Sequence, residues 1–120
     1  MYRVSIRKHF DAAHALRGYR GKCENLHGHR YEVVVQVETD KLDDIGLALD
    51  FTELKGKLGE VLERFDHACL NEVPPFDEIN PSTENIATTI YEELSGKLEK
   101  VPITSIGVWE SPDTWVTYLP

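Results

Sequence analysis

The segment Lys22–Val35, KCENLHGHRYEVVV, decides how this chain is read. It places Cys23, Glu24, His27 and His29 within seven residues and then runs into β-branched sequence. Side chains two apart on a strand share a face. If β structure already begins at His27, both imidazoles project together, about 6–7 Å apart along the strand. Gly28 between them adds no bulk and permits close backbone approach. Such a pair can converge on one ion, and a catalytic zinc (Zn²⁺) site needs a third protein ligand and an open fourth position. His14, in FDAAHAL, is the candidate for the third. Cys23 lies beside Lys22 and near the histidines, an environment that favours the thiolate. It reads equally as a base or nucleophile and as the fourth ligand of a closed structural site.

Outward from this segment the chain alternates between two periodicities. Tyr2, Val4, Ile6 and Phe10 oppose Arg3, Ser5, Arg7 and His9, which predicts a half-buried strand over 2–10. Residues 11–28 carry three glycines among polar residues and are expected to be irregular. A long strand follows over 29–39, with Tyr31, Val33, Val35 and Val37 on the parity of the two histidines. After a turn over 41–49, Asp50 and Glu53 resemble a capping box. Phe51, Leu54, Leu58, Val61, Leu62 and Phe65 then form one helical stripe over 51–65. The stretch 66–81 has three prolines, and a loop of that length in a small domain is more often functional than not. Ser82 or Thr83 caps a second helix whose apolar face is Ile86, Ala87, Ile90, Tyr91, Leu94 and Leu98. Strands at 103–110 and 114–119 flank the turn Ser111-Pro112-Asp113.

The expected architecture is α+β, a ββααββ chain with a four-stranded, mainly antiparallel sheet and both helices on one face. Val34, Ile106, Val108, Val116 and Tyr118 are assigned to the other face, leaving it partly apolar. The open sheet edges call for partners or closure. With 120 residues, one domain over 1–120 is the default. No apolar run is long enough to span a bilayer and no secretory h-region is evident, which predicts a cytoplasmic protein without a membrane partner. Cys23 and Cys69 make no disulfide framework, and Cys69 reads as an incidental thiol. The net charge of −8 argues against nucleic-acid binding. Residues 1–31 nevertheless hold seven basic and two acidic side chains. That local field around the histidines suits an anionic substrate.

Three further features bear chemistry. Asp66-His67 is either a proton-transfer unit with the carboxylate fixing the tautomer, or a solvated helix end. Glu110 is either a strand-end carboxylate facing water or an acceptor of two parallel N–H bonds from an amidine-like edge, with Trp109 nearby for stacking. Ser82 and Thr83 are caps or polar contacts at a pocket wall.

FDAAH, CENLHGH, LDF, FDHACLN, NPSTENIA and VWES, in this order and spacing, resemble the 6-pyruvoyl-tetrahydropterin synthase family over nearly the whole chain. The step of four from Cys23 to His27 looks like the bacterial and archaeal branch, the 6-carboxytetrahydropterin synthases of queuosine biosynthesis. The resemblance implies a tunnelling fold (T-fold) in which trimers close their sheets into a barrel and two trimers stack into a hexamer. It implies His14, His27 and His29 as zinc ligands and Cys23 as general acid or base. Asp66 and His67 would be a relay reaching in from a neighbouring subunit, and Glu110, with Ser82 and Thr83, the pterin anchor. The implied substrate is 7,8-dihydroneopterin triphosphate, with Arg17, Arg20 or Lys22 meeting the triphosphate. The implied products are 6-carboxytetrahydropterin, acetaldehyde and triphosphate.

Glu24 directly after Cys23 gives the chain both C-x₃-HGH and E-x₂-HGH. A glutamate at the latter position marks a folate-branch subgroup that releases 6-hydroxymethyl-7,8-dihydropterin. That product, and 6-pyruvoyl-tetrahydropterin formation, are therefore alternatives. A different class of reading is a non-catalytic, zinc-stabilised pterin-binding module.

Overall fold

The computed structural model describes residues 1–21, 24–99 and 101–120. Strands β1 (Tyr2–His14) and β2 (His27–Thr39) form an antiparallel ribbon paired from Tyr2↔Thr39 to His14↔His27. Thirteen residues at about 3.3 Å each make this ribbon some 40 Å long. β1 therefore continues four residues past the expected end at Phe10. The cross-strand ion pair of Arg30 with Asp11, two bonds of 3.0 and 3.2 Å, ties down the stretch expected to be irregular.

Helix α1 (Phe51–Leu62) starts at Asp50, whose carboxylate accepts from the Thr52 N–H at 2.8 Å. It stops three residues short of the expected Phe65. Phe51 is 55% exposed and lies outside the buried stripe of Leu54, Leu58, Val61 and Leu62. Helix α2 (Thr83–Ser95) is capped by Ser82, whose hydroxyl accepts from the Asn85 N–H at 3.1 Å. Strands β4 (Ile103–Ser111) and β5 (Thr114–Tyr118) complete the antiparallel part of the sheet. A two-residue strand, β3 (Ala68–Cys69), adds parallel to Ala12–Ala13 of β1, so the sheet has five strands in the order β3-β1-β2-β4-β5. Two residues carry too little periodicity for this strand to be read from sequence.

Both helices cover one face. There Ile6, Phe10, Tyr31, Val33 and Val35 meet Leu54, Leu58, Ile86, Ile90 and Leu94. Burying each large aliphatic side chain stabilises the fold by about 1.5–3 kcal/mol. The assignment of Ile106, Val108, Val116 and Tyr118 to the opposite face is corrected. Ile106 pairs with Val35 and Val108 with Val33, so they share the core side. Val116 and Tyr118 pair with Val108 and Ile106, and the Tyr118 ring packs on Tyr91 of α2 at 5.2 Å. The open face instead carries Arg3–Glu38, Gln36–Ser5, the Arg30–Asp11 pair and a stacked Trp109–Trp115 pair. It is largely polar, as a solvated face of an antiparallel sheet should be.

Candidate metal centre and active site

The register of the β1–β2 ribbon builds the centre. His14 faces His27 directly, and His29 faces Ala12, all on the helix-covered side. Ring nitrogens of His14, His27 and His29, one from each, lie within 4.8 Å of one another and could hold a metal ion. Phe10 stacks on Tyr31 at 4.9 Å and forms the floor of the ribbon one pair further in. Tyr31 is edge-on to His14 and His29.

Tautomers follow from the acceptors. The Nδ1–H of His14 donates to the Pro81 carbonyl at 2.7 Å, and that of His27 to the Asn25 carbonyl at 2.6 Å. A carbonyl only accepts, so each neutral ring carries its proton on Nδ1 and a lone pair on Nε2. Those two Nε2 atoms are 3.0 Å apart. Two lone pairs so placed repel unless a cation lies between them. The Nε2 of His29 is buried with no hydrogen-bond partner among the described residues, another group suited to a ligand. Zinc–nitrogen bonds are about 2.0–2.1 Å long, so the 3.0 Å approach of the His14 and His27 nitrogens is within the span that one ion can bridge. The donor set therefore suits a bound metal. Burial lowers the pKa of His14, against the opposing pull of its bond to Pro81. Burial likewise lowers that of His29, against the field of Glu110. Both rings are held neutral, the form that ligates.

Glu110 belongs to the same site. Its Oε1 is 3.6 Å from the His29 Nε2, and its Oε2 accepts from the Thr83 hydroxyl at 2.6 Å. Thr83 is thus the pocket contact, and Ser82 the cap. A cavity of about 230 Å³ opens beside them, lined by Thr83, Glu84, Glu110, Thr114, Trp115 and Val116. The Tyr31 hydroxyl is buried without a partner among the described residues, and its pKa is raised by desolvation and then by Glu110.

Asp66 and His67 form a separate cluster. The His67 Nδ1 is 3.0 Å from Asp66 Oδ1, so these neighbours do pair. Asp66 also accepts from the Asp11 N–H at 3.0 Å, the main reason its pKa falls below the ordinary carboxylate value. His67 adopts φ 58°, a left-handed conformation uncommon outside glycine, held by its N–H on the Asp11 carbonyl. Such strain concentrates at functional sites. Its ring is 79% exposed at the sheet edge beside β3. His67, Cys69 and His29 line one open depression of about 530 Å³, but Asp66 and His67 group with Asp11 rather than with the three histidines.

Cys23 and Lys22 lie outside the described residues. Glu24 is exposed, and its backbone N–H donates to the Gly21 carbonyl at 3.2 Å. Arg20 is exposed. Arg17 is committed elsewhere: its guanidinium donates to the carbonyls of Asn71, Phe76 and Ile79. Sequence reasoning missed the residues that seat the long 66–81 loop, namely Arg17, Asn71 and Asn80. Amides in a proline-rich loop give no periodic signal. The length and three prolines of this stretch marked it as a loop without showing which side chains anchor it.

The family described as 6-pyruvoyl tetrahydropterin synthase matches residues 3–120. The chain belongs to this family. It is therefore an enzyme of a family that acts on pterins, and its fold is the T-fold. It is similar to the 6-carboxy-5,6,7,8-tetrahydropterin synthase of Bacillus subtilis, with 36% identity over 121 residues, covering 93% of this chain and 81% of the relative. It is also similar to the dihydroneopterin monophosphate aldolase of Pyrococcus furiosus, with 38% identity over 111 residues, covering 90% and 89%. The structure of the Caenorhabditis elegans 6-pyruvoyl tetrahydropterin synthase superposes with a TM-score of 0.86 at 28% identity, covering 100% of this chain and 97% of that one. Among the described residues of this family member, no helix is long and apolar enough to cross a membrane.

Proposed function

We propose that this chain is a zinc-dependent 6-carboxytetrahydropterin synthase. It converts 7,8-dihydroneopterin triphosphate and water to 6-carboxy-5,6,7,8-tetrahydropterin, acetaldehyde and triphosphate, the lyase step of queuosine biosynthesis. The observation that carries this reading is the convergence of three imidazoles, two with Nε2 atoms facing at 3.0 Å, beside a carboxylate 3.6 Å from the third. The family and the similarity to the Bacillus enzyme point the same way.

Zinc held by His14, His27 and His29 supplies Lewis-acid polarisation of the substrate's side-chain oxygens, making the hydroxyl and the neighbouring C–H more acidic. The remaining work belongs to the chain. Glu110 accepts the paired N–H groups of the pterin's guanidine-like edge, and Thr83 fixes the carboxylate rotamer by donating to Oε2. Cys23 gives or takes a proton on one side of the substrate. With Asp66 holding Nδ1–H, the Nε2 of His67 is free to exchange a proton on the other. Because His67 is exposed at the sheet edge, it serves the site of a neighbouring subunit. The unpaired edges of β5 and of the N-terminal part of β1 are the surfaces through which sheets join into a trimeric barrel, two of which stack as a hexamer. With Arg17 bound to three carbonyls, Arg20 and Lys22 remain for the triphosphate.

A second reading is supported by Glu24 and by the similarity to the Pyrococcus aldolase. In it, Glu24 is the acid–base group and the same substrate is cleaved to 6-hydroxymethyl-7,8-dihydropterin. Zinc-loaded protein incubated with 7,8-dihydroneopterin triphosphate and analysed by mass spectrometry separates them. A 6-carboxypterin with acetaldehyde is the expected result, and a 6-hydroxymethyl product assigns the chain to the second reading. Absence of turnover returns the non-catalytic binding module.

A further inference from the structure

We infer that Asn80 is a positioning residue for the histidine centre, holding the Pro81 carbonyl where it dictates which nitrogen of His14 faces the site. The inference rests on the three-imidazole reading above and concerns a residue with no contact to the site itself.

β1 ends at His14, and the chain beyond it is held by side-chain amides in place of a strand ladder. Asn71 donates to the Ala15 carbonyl at 2.9 Å and accepts the Ala15 N–H at 2.8 Å. Asn80 does the same to Arg17, with both bonds at 2.8 Å. Asn80 is tied a third time, its own carbonyl accepting from Asn85 Nδ2 at 2.8 Å. Directly after it comes Pro81, buried and with φ fixed by its ring, and then the helix cap Ser82. A residue before proline is itself restricted to extended conformations. The direction of the Pro81 carbonyl is thus set by its anchored neighbours.

That carbonyl meets His14 Nδ1 at 2.7 Å, in a buried environment. As long as it stays, His14 is the Nδ1–H tautomer and its Nε2 presents a lone pair. If it withdraws, the proton moves to Nε2, which then donates across the 3.0 Å gap to the lone pair on His27 Nε2. The two ligands bond to each other and the centre closes. Asn80 therefore chooses between a centre open to a cation and a self-satisfied imidazole pair. Groups that orient a ligand in this way typically change metal affinity by about 10- to 100-fold when removed.

The test compares wild type, Asn80→Ala and a control, Asp50→Ala, which loses the cap of α1 far from the centre. The first readout is the ¹⁵N NMR signature of His14 in metal-free protein, above the pH at which imidazoles protonate. Wild type and Asp50→Ala should show a protonated Nδ1, and Asn80→Ala a shift towards protonated Nε2. The second is zinc affinity by chelator competition, weakened about 10- to 100-fold in Asn80→Ala alone. If Asn80→Ala does not fold, Asn80→Asp keeps the acceptor for the Arg17 N–H and loses the donor. An unchanged His14 tautomer in a folded variant overturns the inference, as does, where wild type binds zinc, an affinity in the variant equal to that of the control. If wild type binds no zinc while the tautomers differ, the metal reading fails and the positioning role stands.

Discussion

His29 of the histidine centre and His67 of the Asp66–His67 pair border the same depression, yet the two groups are built in opposite ways. His14 is 1% exposed, and the two histidines beside it are fixed by the register of a thirteen-residue antiparallel ribbon. His67 is 79% exposed, strained, and held at a sheet edge by backbone bonds to Asp11. The first region is complete within one chain; the second presents a polarised imidazole outward. Metal ligands must be pre-organised to sub-ångström tolerance, which strands supply. A proton relay can be delivered by a neighbouring copy, because it needs only to reach hydrogen-bond distance when the substrate is bound.

Removing a ligand should have the largest effect. His27→Ala is expected to lose stoichiometric zinc, measured by elemental analysis, and with it several kcal/mol of transition-state stabilisation, on the order of 10³-fold in kcat. His67→Ala should lower kcat by about 10²- to 10⁴-fold while retaining zinc. If it loses zinc as well, the two regions form one metal site and the contrast collapses. Mixing His67→Ala with Cys23→Ala, each nearly inactive, sharpens the point. Co-refolded mixed oligomers should regain turnover if His67 serves a neighbour's site, and none if it serves its own.

Glu110→Gln should act on binding: KM rises by roughly 10- to 100-fold, from about 1.5–3 kcal/mol for a charge-assisted bond, with kcat little changed. An unaltered KM removes Glu110 from the pocket. The smallest effect is on pH dependence. The pKa values of His14 and His29 are lowered by burial from 6.5, so the unfolded chain binds protons more readily than the folded one. Metal-free protein should therefore hold this part of its stability above pH 6.5 and lose it as pH falls below that value. Asp11 and Asp66 act in a lower window, losing their contribution as pH falls below the ordinary carboxylate value of 3.8. Chemical denaturation across pH 5–7 of wild type and His29→Ala should show a flatter profile for the variant; identical profiles would show that burial does not perturb this ring.

Much of the fold was legible because alternation and helical stripes are local consequences of one-sided burial. The five apolar residues from Leu54 to Phe65 and the 31–37 alternation are buried as their spacing predicts. Phe51 was misplaced because periodicity cannot tell the first turn of a helix, which overhangs the core, from the turns that cover it. Ile106 and Val108 were assigned to the wrong face because alternation gives parity without saying which parity faces the helices. Only the pairing with Val33 and Val35 settles that.

The sequence by itself pointed to the family, to the three histidines as a candidate ligand set, to Glu110 as a candidate anchor, and to Ser82 and Thr83 as caps or pocket-wall contacts. These depend on residue type and on spacings of two along a strand, which the chain carries locally. Tertiary structure alone decided that His14 lies opposite His27, that Thr83 bonds Glu110 while Ser82 caps the helix, and that Arg17 grips the loop. It also decided that two backbone carbonyls, of Asn25 and Pro81, set the imidazole tautomers. Such carbonyls are identical at every position in the sequence. Their roles exist only once register and loop closure have aimed them.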